Sequence, residues 1–275
     1  MNNSDFDLVI EAGKSEKEYW KDLWRFRGLF YFLAWRDLLV RYKQTVIGIT
    51  WSVLRPFLTM LAFVMVFSKV AKLDSNGIPY PILVFVALLP WQLFSSSLSE
   101  ASNSLISNSN MISKVYFPRM IIPISSIIVC LADFIFSLVI LFLIMVYYQF
   151  VPDFKIIFVP LFLLMSLLTA VGAGLLLSAL NVKYRDFRYV VPFIVQFGLY
   201  VSPVGFDSAI IPEQWRFLYS LNPMVGVIDG FRWCFFGQTV FYWPGFLISV
   251  FFIFALLFIG IKYFRATEKT FADKI

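Results

Sequence analysis

The chain has 275 residues, of which 60% are hydrophobic, 20% aromatic and only 15% charged, with a formal net charge of +6. That balance excludes a soluble protein: its surface would lack the charge that keeps it dispersed, and a core of this length cannot absorb so much apolar area. The chain contains no histidine, which excludes histidine acid–base chemistry and the commonest metal ligand together.

The opening MNNSDFDLVIEAGKSEKEYW has no cationic stretch followed by an apolar one, so no cleavable signal is expected and the first span serves for targeting. Gly13-Lys14-Ser15 ends like a phosphate-binding loop, but the motif's first glycine falls on Leu8 and no strand-and-helix frame surrounds it. No ATPase is expected in this chain. Further on, at 100° per residue, Trp20, Trp24, Tyr31, Trp35, Leu38 and Tyr42 fall within about 60° of one another. Arg25, Arg36 and Lys43 cluster on the far side. The pattern predicts an amphipathic helix in segment 1–48 lying in the membrane interface, with Gly28 as a candidate break. A helix that docks on a partner would show the same face.

Six windows are apolar enough to cross the roughly 30 Å of hydrocarbon, at about 49–70, 81–99, 120–148, 156–180, 189–206 and 243–264. They define an all-α integral membrane protein with a transmembrane domain over 49–264 and a tail over 265–275. Eight Lys and Arg residues precede the first window, five lie in loops 100–119 and 181–188, and the C-terminal end adds four, Lys262, Arg265, Lys269 and Lys274. Only five, Lys69, Lys72, Lys155, Arg216 and Arg232, fall on the other side, so the positive-inside rule places both termini in the cytoplasm.

Two charged residues, Arg55 and Asp133, lie within the apolar bodies of the windows, where a charge costs about 2.5–3.5 kcal/mol at mid-membrane. Arg55 is within reach of headgroups and reads either as a lipid-phosphate anchor or as part of the cytoplasmic mouth of an anionic pathway. Asp133 lies deeper and is expected to be protonated, paired with a neighbouring helix or hydrogen-bonded to hydroxyls, a structural contact rather than a proton relay. Between the second and third windows, NSNMISKVYFPR places Met111, Ile112, Val115 and Tyr116 on one helical face. Cys130 reads as a small hydrophobe, and with Cys234 it makes no disulfide framework.

Gly172, Ala173 and Gly174 admit close approach of another helix to the fourth window. Pro192, Gln196 and Pro203 interrupt the fifth, and non-helical backbone at that depth survives only inside protein or beside water. Segment 207–242 is too polar to span and too apolar for a plain loop. Pro212, Asn222 and Pro223 divide it into short helices at about 212–220 and 224–236, and the second keeps Val227, Ile228, Phe231 and Phe235 on one face. Two re-entrant pieces are expected there. Nothing in the chain forms a catalytic or metal set, and the first outer loop offers only Asp74 as an acid.

Several blocks in order carry a resemblance: WRDLLVRYKQTVIGITWSVLRPFLTM (35–60), GIPYPILVFVALLPWQLF (77–94), NSLISNSNMISKVYFPRMIIP (103–123), LNVKYRDFRYVVPF (180–193), SPVGF (202–206) and LNPMVGVIDGFRWCFFG (221–237). Together they resemble the membrane subunit of ABC-2 type exporters, specifically the O-antigen and related polysaccharide permeases. The resemblance implies a six-span homodimer in the bacterial inner membrane, served by two copies of a separate cytoplasmic ATPase that binds ATP and magnesium. It implies an ATPase-coupling helix at Asn110, Met111, Ile112, Lys114, Val115, Tyr116 and Arg119, and an interface helix at the N-terminus. Outer gate helices would carry Pro203, Pro212, Asn222, Pro223, Asp229 and Arg232. The implied cargo is a lipid-linked polysaccharide, whose pyrophosphate would meet Arg41, Lys43, Arg55, Arg185 and Arg188; no nucleic acid is expected. Arg55 departs from the family pattern, where an uncharged polar residue often stands. Capsule or teichoic polymers, or a small molecule, are the alternative cargoes. A carrier working without ATP and a membrane enzyme are the rival classes.

Overall fold

The computed structural model describes residues 16–43, 48–70, 77–237 and 241–271, and every regular element within them is helical. Gly13-Lys14-Ser15 and Asp74 lie outside the described residues. The order is α1 (Glu16–Arg25), α2 (Arg27–Lys43), α3 (Gly48–Phe63), α4 (Tyr80–Ser107), α5 (Ser109–Ile112), α6 (Ile121–Tyr147), α7 (Val159–Lys183), α8 (Phe187–Val201), α9 (Glu213–Tyr219), α10 (Pro223–Phe236) and α11 (Trp243–Glu268). A π-helical turn, Val64–Val70, extends α3, and a 3-10 turn, Phe154–Phe158, leads into α7.

Five helical segments are long and apolar enough to cross a membrane: Thr50–Ser68, Tyr80–Ser107, Ile121–Tyr147, Phe154–Lys183 and Trp243–Glu268. They match five of the six predicted windows. The remaining window, 189–206, holds α8, which has only 15 residues. At 1.5 Å per residue it is about 22 Å long, short of the roughly 30 Å of hydrocarbon. Pro203 sets its end, because a residue before proline is pushed out of the helical region, and Ser202 is extended at φ −82°, ψ 152°.

The second window is longer than predicted: α4 continues to Ser107, beyond residue 99. Hydropathy stops where lipid contact stops, but Leu98, Ala101 and Leu105 keep a buried face of helical spacing. This helix is the axis of the bundle. Its most apolar stretch is 78% buried, against 17–39% in the other four spanning segments. Around it pack α3, α6, α7, α8 and α10.

A second apolar cluster closes the end of the bundle that carries the N-terminal helices, here the basal end. Leu33, Leu105, Ile112, Phe117, Ile121, Phe264 and Phe271 meet there. Four members of the predicted aromatic stripe of α1 and α2 point the other way: Trp20, Trp24, Tyr31 and Trp35 are exposed, and Tyr31 stacks on Trp35 at 6.3 Å, whereas Leu38 is half-buried and Tyr42 turns inward, edge-on to Phe136 at 5.7 Å. Those exposed rings form an outward apolar face. The break falls at Phe26, because that ring turns into the basal cluster; the predicted Gly28 sits inside α2.

The small residues of α7 have two partners. A Cβ on Gly172 would lie 2.7 Å from the backbone nitrogen of Leu257, and one on Gly174 would lie 2.8 Å from Ala101 Cβ. Close packing thus joins α7 to α11 on one side and to α4 on the other. On α11, a Cβ at Gly260 would lie 2.1 Å from the Gly172 carbonyl oxygen. Backbone cannot yield as a side-chain tip can, so Gly260→Leu is expected to cost about 3 kcal/mol or more. Gly28 has nothing within 4 Å, and Gly28→Ala is expected to stabilise by about 0.5–1 kcal/mol. Unfolding midpoints in detergent check both signs.

Candidate functional site

A cavity of about 700 Å³ opens between α3, α4, α6 and α8. Helical spacing builds its walls. On α4, Gln92, Ser95, Ser96, Ser99 and Glu100 form one polar stripe, on α6 Cys130, Asp133, Phe134 and Ser137 face it, and α8 adds Pro192, Val195, Gln196 and Leu199. Trp51, Ser52, Arg55 and Thr59 come from α3, with Trp91 beside the stripe. Hydroxyls, amides and indole rings side by side suit a ligand with both polar edges and apolar faces. The α4 stripe escaped the sequence reading, which treated 81–99 as a plain span. Its signal was present: LPWQLFSSSLSE alternates polar and apolar residues with a helical period.

Asp133 is the anchor of the site. Its Oδ2 takes a hydrogen bond from Arg41 Nη1 at 2.7 Å, and its Oδ1 takes two, from Tyr42 Oη at 2.5 Å and Ser52 Oγ at 2.6 Å. The second guanidinium arm of Arg41 pairs with Glu100. Four elements therefore converge on two carboxylates, and α2 is tied to the bundle through a charged side chain rather than through apolar area alone. Arg55 stands at the cavity edge, exposed, and has no ion pair among the described residues.

The five basic residues grouped by the sequence do not form one cluster. The cavity holds Arg41 and Arg55. Arg188 lies one turn before Pro192 on the cavity-lining face of α8, exposed. Lys43 and Arg185 are exposed and are not among the lining residues.

At the basal end the loop after α4 holds the NSNMISKVYFPR segment. Helix α5 spans Ser109–Ile112, and the Val115 amide still donates to the Met111 carbonyl at 3.1 Å, so a helical turn continues to Val115. The four apolar residues of the predicted face separate. Ile112 is 3% exposed and Met111 packs on the basal cluster, whereas Val115 and Tyr116 are 58% and 49% exposed. Asn110 and Lys114 are exposed beside them. Arg119 is held: its amide donates to Glu268 Oε1 at 2.7 Å and its guanidinium donates to the Glu268 carbonyl.

At the other end, α10 is embedded against α4, α7 and α11, with Val227, Ile228, Phe231 and Phe235 all buried as their spacing predicted. Asn222 caps it, accepting from the Met224 amide at 3.0 Å, and Pro223 takes the first helical position. Asn222 also donates to Ser202 Oγ at 3.0 Å. Pro212 directly precedes α9, which is mostly exposed. Arg232 is 2% exposed and donates to the carbonyls of Phe206 and Val204, at 2.6 Å and 3.2 Å, satisfying the non-helical stretch around Pro203. Tyr80 donates to the Gly205 carbonyl between them. Asp229 lies one turn before Arg232 on α10.

Five helical segments of spanning length, packed beside a polar, indole-flanked cavity, define the class as a multi-pass membrane protein. The sequence pattern of the ABC-2 type transporter family matches residues 28–236, from α2 through α10, and the chain belongs to that family. It is 28% identical over 225 residues to the O-antigen export system permease protein RfbA of Myxococcus xanthus, covering 81% of this chain and 83% of that one. Against the O-antigen export system permease protein RfbA of Klebsiella pneumoniae it is 27% identical over 246 residues, with coverages of 86% and 91%. It is 24% identical over 246 residues to the polysialic acid transport protein KpsM of Escherichia coli, with coverages of 85% and 91%.

Hydrogen bonds to charged groups contribute about 1.5–3 kcal/mol each, so Asp133→Ala, which strands Tyr42, Ser52 and one arm of Arg41, is expected to cost about 2–4 kcal/mol. Removing Arg41 as well should cost less than the sum of the two single changes, by about 1–2 kcal/mol, because the partners stabilise each other. A double-mutant cycle on unfolding in detergent measures that difference; strict additivity would show that the pair is not coupled.

Proposed function

We propose that the chain is the permease of an exporter that moves undecaprenyl-linked O-antigen polysaccharide from the cytoplasmic to the outer face of the bacterial inner membrane. Two copies form the path, and two copies of a separate ATPase, which binds ATP and magnesium, drive it. The observation that carries this reading is the cavity: serines, amides and indoles around it match the hydroxyl edges and C–H faces of sugar rings. The relatives named for O-antigen export support the same cargo.

In this reading both termini and the basal end face the cytoplasm. The exposed Val115 and Tyr116, with Asn110 and Lys114, meet the ATPase, while Ile112 and Arg119 hold the loop to the permease. ATP closes the ATPase pair, the loops transmit the movement, and the path at the interface between copies opens stepwise. A long polymer needs such a continuous path, since a cavity of about 700 Å³ encloses only a few sugars. Arg55, exposed at the cavity edge, and Arg188, exposed on α8, meet the pyrophosphate in this reading. At the outer side α9 and α10 form the gate, with Arg232 and Asn222 fixing it to the end of α8. A second reading, capsule polymer as cargo, has the resemblance to the polysialic acid transport protein in its favour.

Cells lacking this protein are expected to accumulate undecaprenyl-linked polymer, and mass spectrometry of lipid extracts identifies the cargo from its sugar masses. A capsular repeat in that pool selects the second reading. No accumulation, with surface glycan unchanged, removes polysaccharide altogether.

A further inference from the structure

The loop that carries α5 is gripped at both of its stems by the same pair of N-terminal helices. At its start, Arg36 of α2 donates to Asn108 Oδ1 at 2.9 Å. At its end three separate stretches of chain meet on one residue, Glu268, the last of α11. Its Oε1 accepts from the Arg119 amide at 2.7 Å and from Tyr19 Oη of α1 at 3.3 Å, and its main-chain carbonyl accepts from the Arg119 guanidinium. The Arg265 guanidinium lies over the Tyr19 ring at 4.4 Å, and Phe264 meets Phe271 edge-on at 5.2 Å behind it.

The electrostatics of the helix ends explain why this junction holds. The last carbonyls of α11 lack partners within their own helix and carry partial negative charge, which the Arg119 guanidinium meets. Arg119 also precedes α6, whose first amides are the positive end of that helix, so a carboxylate there is favoured. Burial, with the Glu268 carboxylate beside it, pushes the Tyr19 phenol above its ordinary range, which keeps it a donor. The sequence reading assigned no role to Tyr19 or Glu268.

We infer that Glu268 is a positioning residue: with Tyr19 and Arg119 it locks the α5 loop to α1 and to the end of α11, so that a push on the loop moves α11 and the N-terminal helices together with α4 and α6. The inference rests on the reading of the loop as the contact with an ATPase. Without the lock, the loop's movement is lost in its own hinge before it reaches α11.

The test uses the full complex of permease and ATPase in proteoliposomes loaded with lipid-linked polymer. It compares ATP hydrolysed and polymer exported per assembled complex. In Glu268→Ala, hydrolysis is expected to stay within about twofold of wild type while export per ATP falls about tenfold, the effect of one charge-assisted hydrogen bond. Glu268→Gln, which keeps an acceptor at Oε1, should recover part of the export, and Tyr19→Phe should lower it moderately. Should the alanine variant not assemble, the glutamine and phenylalanine variants carry the same comparison. Export per ATP equal to wild type in all assembled variants overturns the lock, as does a fall in export that only follows the amount of complex. A wild-type complex without ATP-dependent export overturns the exporter reading itself, and the lock with it.

Discussion

The whole arrangement depends on one constraint: a carboxylate cannot remain unsatisfied at depth in a membrane, and Asp133 is placed where two neighbouring helices supply three donors to it. Its partners come from α2 and α3, and Glu100 of α4 shares Arg41 with it. Because the residues that neutralise Asp133 also form the cavity wall, satisfying the charge and shaping the cavity are the same event. An apolar residue at 133 would fit the lipid better but would give α2 no fixed angle against the bundle. The exposed rings of α1 and α2 then face away from the bundle because that angle is set.

The same logic recurs at the opposite end with the roles reversed. There backbone carbonyls are the orphans and a buried cation is the remedy. The chain leaves helix at Ser202, and Arg232 and Tyr80 supply donors to Val204, Gly205 and Phe206. A break in a short helix thereby becomes a fixed feature. It ties α10 to the end of α8, so that movement of either is felt by the other. α9, outside this net, shows Trp215 and Phe217 outward.

Much of this was legible in the sequence because it follows from local periodicity. The buried face of α10, the cap at Asn222, the spanning segments and the outward stripe of α1 and α2 are all set by spacing within one helix. The glycines at 172 and 174 announced a close approach, though not that two different helices would make it. Arg232 was noted as a charge without its partners, since carbonyls at 204 and 206 carry no signature. The end of α8 was misjudged because apolarity continues through Val204 and Phe206 while proline has already ended the helix. The apolar face of the loop after α4 was only half visible: a helical wheel finds Ile112 and Tyr116 together, yet Ile112 is drawn into the chain's own core by Phe117 and Leu105. Least legible was Glu268, whose partners lie 249 and 149 residues away.

The claim on which the account rests is that the cavity walled by α4, α6 and α8 receives the glycan. A photo-crosslinking amino acid at Gln196, inside the cavity, tests it against the same group at Phe251, which is exposed on the outer face of α11. In cells making the polymer, the group at 196 should capture lipid-linked glycan and the group at 251 should capture only lipid. Glycan captured equally at both positions, or at neither, would contradict the cavity as the polymer's path.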